Sequence, residues 1–530
     1  DVYKRQVPVL FGFVFISLVS IPYIYAYQHA GEAHEFAGFL LNPIDGNTYL
    51  AKMYQGWQGS WRFYLPYTVE RGNGAYLFLF YQGLGHLARN SGSSAQFMFH
   101  FFRIASAMIM VASLWYFFGR FFSSQRTRQL AFGLALFGSG MGWLASTLGV
   151  FSADFWVAEG YPFLSAYANP HFPLGLAIML WLMAPLVTRR GDEKSGMNIK
   201  QRLLVLGSAF LLAMVMPFGA FVTAVVLSGY VVWAILDDLR IVENRAAYFK
   251  IAESNVLKSE SGQKLLFLFL GSAPVLIYQV WVTRSDPVLA AWNAQNITIS
   301  PPLWELVLAY TPIILAALPG IYFALKSGEQ KTRILVIWIS LGLLLLYIPW
   351  ELQRRFISGY MIPLAGLAAI TLEFILSKRK MLGVAILGLV VLLILPTNLM
   401  VILGGIQAVE NKVESIFLTA DEYQGLMWIE SNTEADSVIL ASPEMGLFIP
   451  AYTGRRVWYG HPFETPHAER VEAALVELFT GSDGDSGMAM LYGSDYLFYG
   501  SREDELGRFN PGLRFELVFE SGDTRIFRID

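Results

Sequence analysis

Apolar runs too long for a soluble core recur along most of this chain, and they restrict the fold more than any other feature. A bilayer core about 30 Å thick takes about 20 apolar residues per helix. Eleven segments approach or exceed that length: 7–27, 97–119, 129–150, 172–188, 203–217, 219–236, 265–283, 303–325, 332–350, 357–376 and 381–403. No water reaches the backbone in hydrocarbon, so each segment must close its own hydrogen bonds as a helix. Only 15% of residues are charged, against roughly 25% in soluble domains. The expected architecture is a mostly α, polytopic membrane protein with about 11 transmembrane helices over 1–403. A small C-terminal α/β soluble domain follows over 404–530.

Charge divides the chain at the same place. Residues 1–403 carry 29 Lys and Arg against 19 Asp and Glu, whereas 404–530 carry 9 against 22. The acidic tail and the scattered basic loops exclude a nucleic-acid partner. With the N-terminus inside, 21 of the 29 basic residues fall in cytoplasmic segments, among them 126–128, 188–194 and 377–380. That asymmetry is the positive-inside pattern. It holds only if Pro217 and Gly219 split 203–236 into two spans. The long loop 28–96, the loops 151–171 and 284–302, and the tail then lie extracytoplasmically at the cell membrane. All seven histidines then lie at or beyond the outer surface. The opening DVYKRQ has no initiator Met. The span after it is too long for a signal h-region and lacks a small-residue cleavage site, so it reads as a retained helix.

There is no cysteine, so disulfides, thiolate nucleophiles and Cys-ligated zinc are excluded. Walker A, GxGxxG, HExxH and GxSxG patterns are also missing from the sequence, which points away from ATP or a nicotinamide and towards a pre-activated donor. In the tail, 421–432 and 466–479 have helical spacing. Segments 437–441, 455–460 and 495–500 read as strands, and 514–520 with 524–529 as a closing pair.

The stretch NPIDGNTYLAKMYQGWQGSW, Asn42 to Trp61, leaves the first span directly and sets Asp45 just outside the membrane. A carboxylate there can take a proton from a hydroxyl or hold a divalent cation. It can equally cap a helix beginning near Thr48. Asp154 and Glu159 in the second outer loop are the next acids, and each can complete such a site or be a solvated loop residue. His171 opens the following span as a phosphate or metal ligand or an interfacial anchor. Arg354 and Arg355 stand on the outer side against the charge bias. A guanidinium binds phosphate through two parallel hydrogen bonds, so a lipid phosphate is their natural ligand, with headgroup contact or pairing with Glu351 the alternative. Arg103 lies inside the second span, where a charge is expensive and usually functional, though it can snorkel. In GRRVWYGHPFET of the tail, His461 and Glu464 can line an acceptor groove or simply form a packing turn.

Taken together, the chain resembles the GT-C superfamily of integral-membrane glycosyltransferases. The resemblance rests on the first span, then Asp45, Tyr49 and Ala51 with Gly56 and Gly59 after them. It extends to about eleven spans, acids in the second outer loop, an outer Arg pair before a late span, and an extracytoplasmic tail. It implies a polyprenyl-phosphate-linked sugar donor and a glycan, lipid or protein acceptor among membrane lipids, with transfer on the outer face, usually with inversion. It also implies Asp45 as base or metal-positioning acid, with Asp154 or Glu159 assisting. Arg354, Arg355, His171, Arg103 and Tyr49 would serve as substrate-binding residues. Asp45 and Asp154 would be ligands of a divalent cation, Mg or Mn. Many members carry a second acid directly after the Asp; here it is Gly46. The competing readings are a transporter or flippase of lipid-linked glycans and a non-catalytic envelope assembly protein. The surface location of most charges and the lack of a visible two-fold repeat argue against transport.

The topology is directly testable in a cysteine-free chain. Glu434→Cys is expected to react with a membrane-impermeant maleimide in intact cells, and Ser377→Cys only after permeabilisation. The reverse pattern would overturn the eleven-span arrangement.

Overall fold

The computed structural model describes residues 2–185, 196–241, 259–327, 329–481, 484–507, 509, 511 and 515–529. The basic segment 188–194 lies outside them. The chain divides into two compact units. One holds Asp1–Ser20, Phe102–Tyr278 and Thr298–Gly404; the other holds Ile21–Phe101, Gln279–Ile297 and Gly405–Asp530.

The first unit is built of apolar helices. Six described helices in the chain are long and apolar enough to cross a membrane. The pair Leu303–Tyr310 and Ile313–Lys326 makes a seventh span if its 87° bend is counted within one crossing. The other expected spans are helical but short. Gln125–Phe137, His171–Met183, Ile199–Val215 and Arg333–Leu346 have 13, 13, 17 and 14 residues. At 1.5 Å per residue such helices reach only about 20–25 Å. Pro and Gly explain the breaks. Pro312 removes a donor at the 303–326 bend, and Gly138 and Gly140 follow directly where the helix from Gln125 ends. Met361–Lys378 belongs to the most enclosed of the six spans, with Ala365, Gly366, Ala368 and Ala369 buried. Its neighbour approaches so closely that a Cβ on Gly320 would sit 2.0 Å from the Leu367 carbonyl oxygen. Small residues at such crossings let helices pack tightly in lipid.

The second unit joins the first loop to the tail. Strand β1 (His34–Phe36) pairs antiparallel with β2 (Phe417–Thr419). A five-stranded sheet then forms from β3 (Val438–Leu440), β4 (Arg456–Val457), β5 (Tyr496–Tyr499), β6 (Glu516–Ser521) and β7 (Thr524–Arg528), in the order β4-β3-β5-β7-β6. Strand β3 is parallel to β4 and β5, and β7 is antiparallel to β5 and β6. Side chains alternate across this sheet as period-2 geometry requires. Ile439, Phe498 and Ile526 enter one core with Leu426, Met445 and Phe448. Leu440, Leu497 and Phe527 enter the other with Leu475, Leu478 and Phe479. The helix Ala420–Asn432 starts with a reciprocal capping box between Thr419 and Glu422, and Glu422 also takes a 2.7 Å ion pair from buried Arg502. Tyr67 of the first loop sits in the first of these cores.

Helices Pro43–Trp57 and Leu79–Ser91 cross almost in backbone contact. A Cβ on Gly56 would meet the Gln82 carbonyl oxygen at 2.1 Å, and one on Gly85 would meet that of Met53 at 1.8 Å. Gly85→Ala must push the helices apart and is expected to cost about 1–3 kcal/mol or more, read as a lowered thermal midpoint in detergent. The control is Gly207→Ala, where a Cβ meets nothing within 4 Å and helix propensity favours Ala by about 0.5–1 kcal/mol. Equal midpoints for the two variants would refute the close-crossing account.

Candidate functional site

Asp45 does not cap its helix. The helix runs Pro43–Trp57, with Asn42 at the cap in left-handed backbone and no side-chain cap bond. Asp45 lies inside the first turn, where a carboxylate favours the positive end of the helix dipole. The spacing Asp45, Thr48, Lys52 places the three on one face. The Asp45 carboxylate is 55% exposed, whereas Lys52 is 1% exposed.

Lys52 is held in an aromatic cage. Its ammonium lies 4.1 Å from the Phe78 ring centre, 5.3 Å from Tyr49 and 5.7 Å from Phe63. Cation–π attraction alone does not replace lost hydration. Glu464 supplies the rest, its Oε1 2.6 Å from Lys52 Nζ, which also donates to Thr48 Oγ1 at 3.3 Å. Tyr49 stacks on Tyr81 at 4.4 Å and so serves as a cage wall. The turn that delivers Glu464 also delivers His461, whose Nε2 lies 3.3 Å from Asp45 Oδ1. Two buried polar atoms of this neighbourhood have no partner among the described residues: the Tyr67 hydroxyl and Glu464 Oε2. Burial, then the charges of Glu464 and Asp45, push the Tyr67 phenol well above its ordinary range. It therefore stays protonated as a donor.

The remaining expected residues belong to the first unit. Asp154 is fully buried, and both of its oxygens accept hydrogen bonds. Ser152 donates to Oδ1 at 2.6 Å; the Gly140 and Gly142 amides and Ser139 donate to Oδ2 at 3.1, 3.0 and 3.3 Å. Burial pushes its carboxyl up, opposed by the bonds from Ser152 and Gly142. This geometry assigns Asp154 to the helix break at 138–142 rather than to acid–base or metal chemistry. Arg103, 1% exposed, donates Nη1 to the Val19 and Ala166 carbonyls at 2.9 and 3.0 Å. It staples backbone where a substrate contact was expected. Glu159 is buried, and its carbonyl accepts from the Gly359 amide at 2.8 Å. That bond sets the second loop beside the turn Gln353–Ile357. There Arg354 lies over the Trp156 ring at 4.6 Å and Arg355 over Phe218 at 5.6 Å. His171 starts its helix, with its ring 4.0 Å from Phe172.

Among the described residues no three His, Asp or Glu side chains gather as a metal site. Asp154 is fully buried and already engaged by four donors, which does not suit it as the expected ligand of a divalent cation. Sequence reasoning missed Lys52 and Tyr67. The available signal was a single lysine one helical face along from Asp45 in an otherwise aromatic stretch.

The fold has solved counterparts. The chain matches the apo oligosaccharyltransferase of Archaeoglobus fulgidus over 96% of its length and 74% of that chain, with a TM-score of 0.52 at 14% identity. It matches ArnT from Cupriavidus metallidurans, bound to undecaprenyl phosphate, over 97% of both chains, with a TM-score of 0.53 at 11% identity. Both are GT-C membrane proteins, and the fold of this chain is similar to theirs. No family model and no curated protein sequence matches.

Removing one member of a buried pair strands the other. Lys52→Met is expected to cost about 3–5 kcal/mol, because Glu464 is left charged beside Phe78 and Tyr67. Lys52→Met with Glu464→Leu should recover much of that stability. The measurement is thermal unfolding of the parent, both singles and the double, and additive losses would refute coupling.

Proposed function

We propose that the protein is a membrane glycosyltransferase. It moves a sugar from a polyprenyl-phosphate or polyprenyl-pyrophosphate donor to a glycan, lipid or protein acceptor on the outer face of the cell membrane. The observation that carries this reading is the exposed Asp45 carboxylate, held by His461 in the first loop of a chain with GT-C architecture. The two solved counterparts are an oligosaccharyltransferase and a protein bound to undecaprenyl phosphate, which supports a lipid-linked donor.

In this reading the acceptor hydroxyl approaches Asp45. Its oxygen forms the new bond to the anomeric carbon as the bond from that carbon to the donor phosphate breaks. The phosphate keeps the electron pair, Asp45 takes the hydroxyl proton, and the anomeric centre inverts. Arg354 and Arg355 are suited to the lipid phosphate, since guanidinium forks match phosphate oxygens and Trp156 and Phe218 orient their planes. Glu159, tied through its carbonyl to the Gly359 amide, and His171 are the further candidates for contact with the donor in this reading. No step is routed through a divalent cation.

Asp45→Asn keeps shape and polarity at an exposed position and removes the base. It is expected to leave the thermal midpoint unchanged and to lower transfer about 10²–10⁴-fold. Transfer is measured in membranes with polyprenyl-phosphate sugars as donor. Near-parental transfer by the Asn variant would sink the reading.

A further inference from the structure

The turn from His461 to Thr465 is fixed from several sides. The Gly460 and His461 amides both reach Thr465 Oγ1 at 3.3 Å, and the Thr465 amide donates to the His461 carbonyl at 2.9 Å. The Gln295 amide donates to the Phe463 carbonyl at 3.2 Å and to that of Thr465, and its carbonyl accepts the His467 amide at 3.0 Å. The Tyr67 ring is inclined by 30° to the His461 ring, with centres 6.2 Å apart. The ring itself is 4% exposed.

The two ring nitrogens have different surroundings. Nδ1 faces the backbone N–H groups of Phe463 and Glu464 at 3.0 and 3.1 Å. Both can only donate, so Nδ1 presents its lone pair. A neutral imidazole carries one proton, which is then on Nε2. Nε2 faces Asp45 Oδ1, an acceptor, at 3.3 Å. Flipping the ring would put carbon opposite both backbone amides and opposite Asp45, so the turn permits one orientation.

We propose that His461 is the positioning residue of Asp45: it donates Nε2–H to Oδ1 and fixes the carboxylate that receives the acceptor proton. The ring does not itself take that proton, because Nδ1 is occupied by two donors and Nε2 holds its hydrogen against Asp45. This role rests on the reading of Asp45 given above. It explains why a largely exposed side chain near the start of a helix can present one orientation to a substrate.

The test separates the contact from the chemistry. Histidine is labelled with ¹⁵N in nanodisc-embedded protein, and His461→Gln assigns its signals among the seven histidines. At roughly pH 8, above the ordinary histidine range, Nε2 is expected to give the protonated-type signal and Nδ1 the bare type. Asp45→Asn should shift Nε2 and leave Nδ1 in place. A proton on Nδ1, or an Nε2 unaffected by Asp45→Asn, overturns the proposal whatever transfer shows. In the transfer assay His461→Phe should lower kcat about ten- to a hundredfold, as expected for a lost hydrogen bond to a charged group, with the donor KM unchanged. His461→Gln, which keeps an N–H, should restore most of it. Parental kcat in the folded Phe variant overturns the positioning role. If Asp45→Asn itself transfers normally while the tautomer is as expected, the glycosyltransferase reading of Asp45 fails, and the positioning role fails with it.

Discussion

The ion pair between Lys52 and Glu464 organises the second unit. Its partners are 412 residues apart, and neither tolerates burial alone. An ammonium among Tyr49, Phe63 and Phe78 has lost its water, and attraction to a carboxylate 2.6 Å away offsets that loss only with good geometry. Forming the pair therefore requires the helix Pro43–Trp57 and the turn His461–Thr465 to meet in one register. Other contacts agree with it. Strand β1 pairs with β2, Tyr67 enters the tail's core, and the Val457 amide donates to the Pro66 carbonyl at 3.2 Å. The turn that neutralises Lys52 thereby brings His461 to Asp45, so the same packing that stabilises the unit also builds its site.

The first unit solves a different problem with a similar group. Where the helix from Gln125 stops at Phe137, its broken backbone needs partners that lipid does not supply. Asp154 takes the Gly140 and Gly142 amides. Thr397 accepts from the Trp143 amide at 3.1 Å, and Asn398 donates to the Phe137 carbonyl at 2.9 Å. A buried carboxylate with four donors is a structural part. An exposed one beside a positioned imidazole can accept a proton. The contrast between Asp154 and Asp45 is thus one of solvation and donor supply, although both residues are acids in extracytoplasmic loops by sequence.

Much of the architecture was legible because its signals are local. Long apolar runs, the alternation in 495–500 and 524–529, and helical spacing in 421–432 and 466–479 each correspond to an observed element. The span count was less legible. Runs such as 129–150 are continuous in hydropathy, yet Gly138–Gly142 breaks the helix, and hydropathy does not register backbone geometry. The site was legible only in part. Asp45 and the polar turn with His461 and Glu464 stood out by composition. Lys52 did not, because a lysine in an interfacial helix ordinarily faces water, and only the fold brings Glu464 to it. Arg103 misled for the opposite reason: a charge inside a span suggests a ligand, and its donors instead satisfy the Val19 and Ala166 carbonyls.

Gly46 shows how packing limits the chemistry at Asp45. A second acid at that position would need a Cβ, and a Cβ there would sit 2.2 Å from the Phe39 ring. Phe39 is buried and cannot yield cheaply, so the paired-acid arrangement is sterically closed to this chain. The second carboxylate in the neighbourhood arrives instead from the tail, as Glu464, and the phenol of Tyr67 feels both its charge and that of Asp45. Glu464 comes already matched with Lys52, and the two charges cancel within the cage. The negative charge presented to solvent is then that of Asp45, aligned by a hydrogen bond from His461. In the reading proposed above, such a site offers a single proton acceptor, since a two-carboxylate cation clamp would need both acids unmatched and facing the same ion.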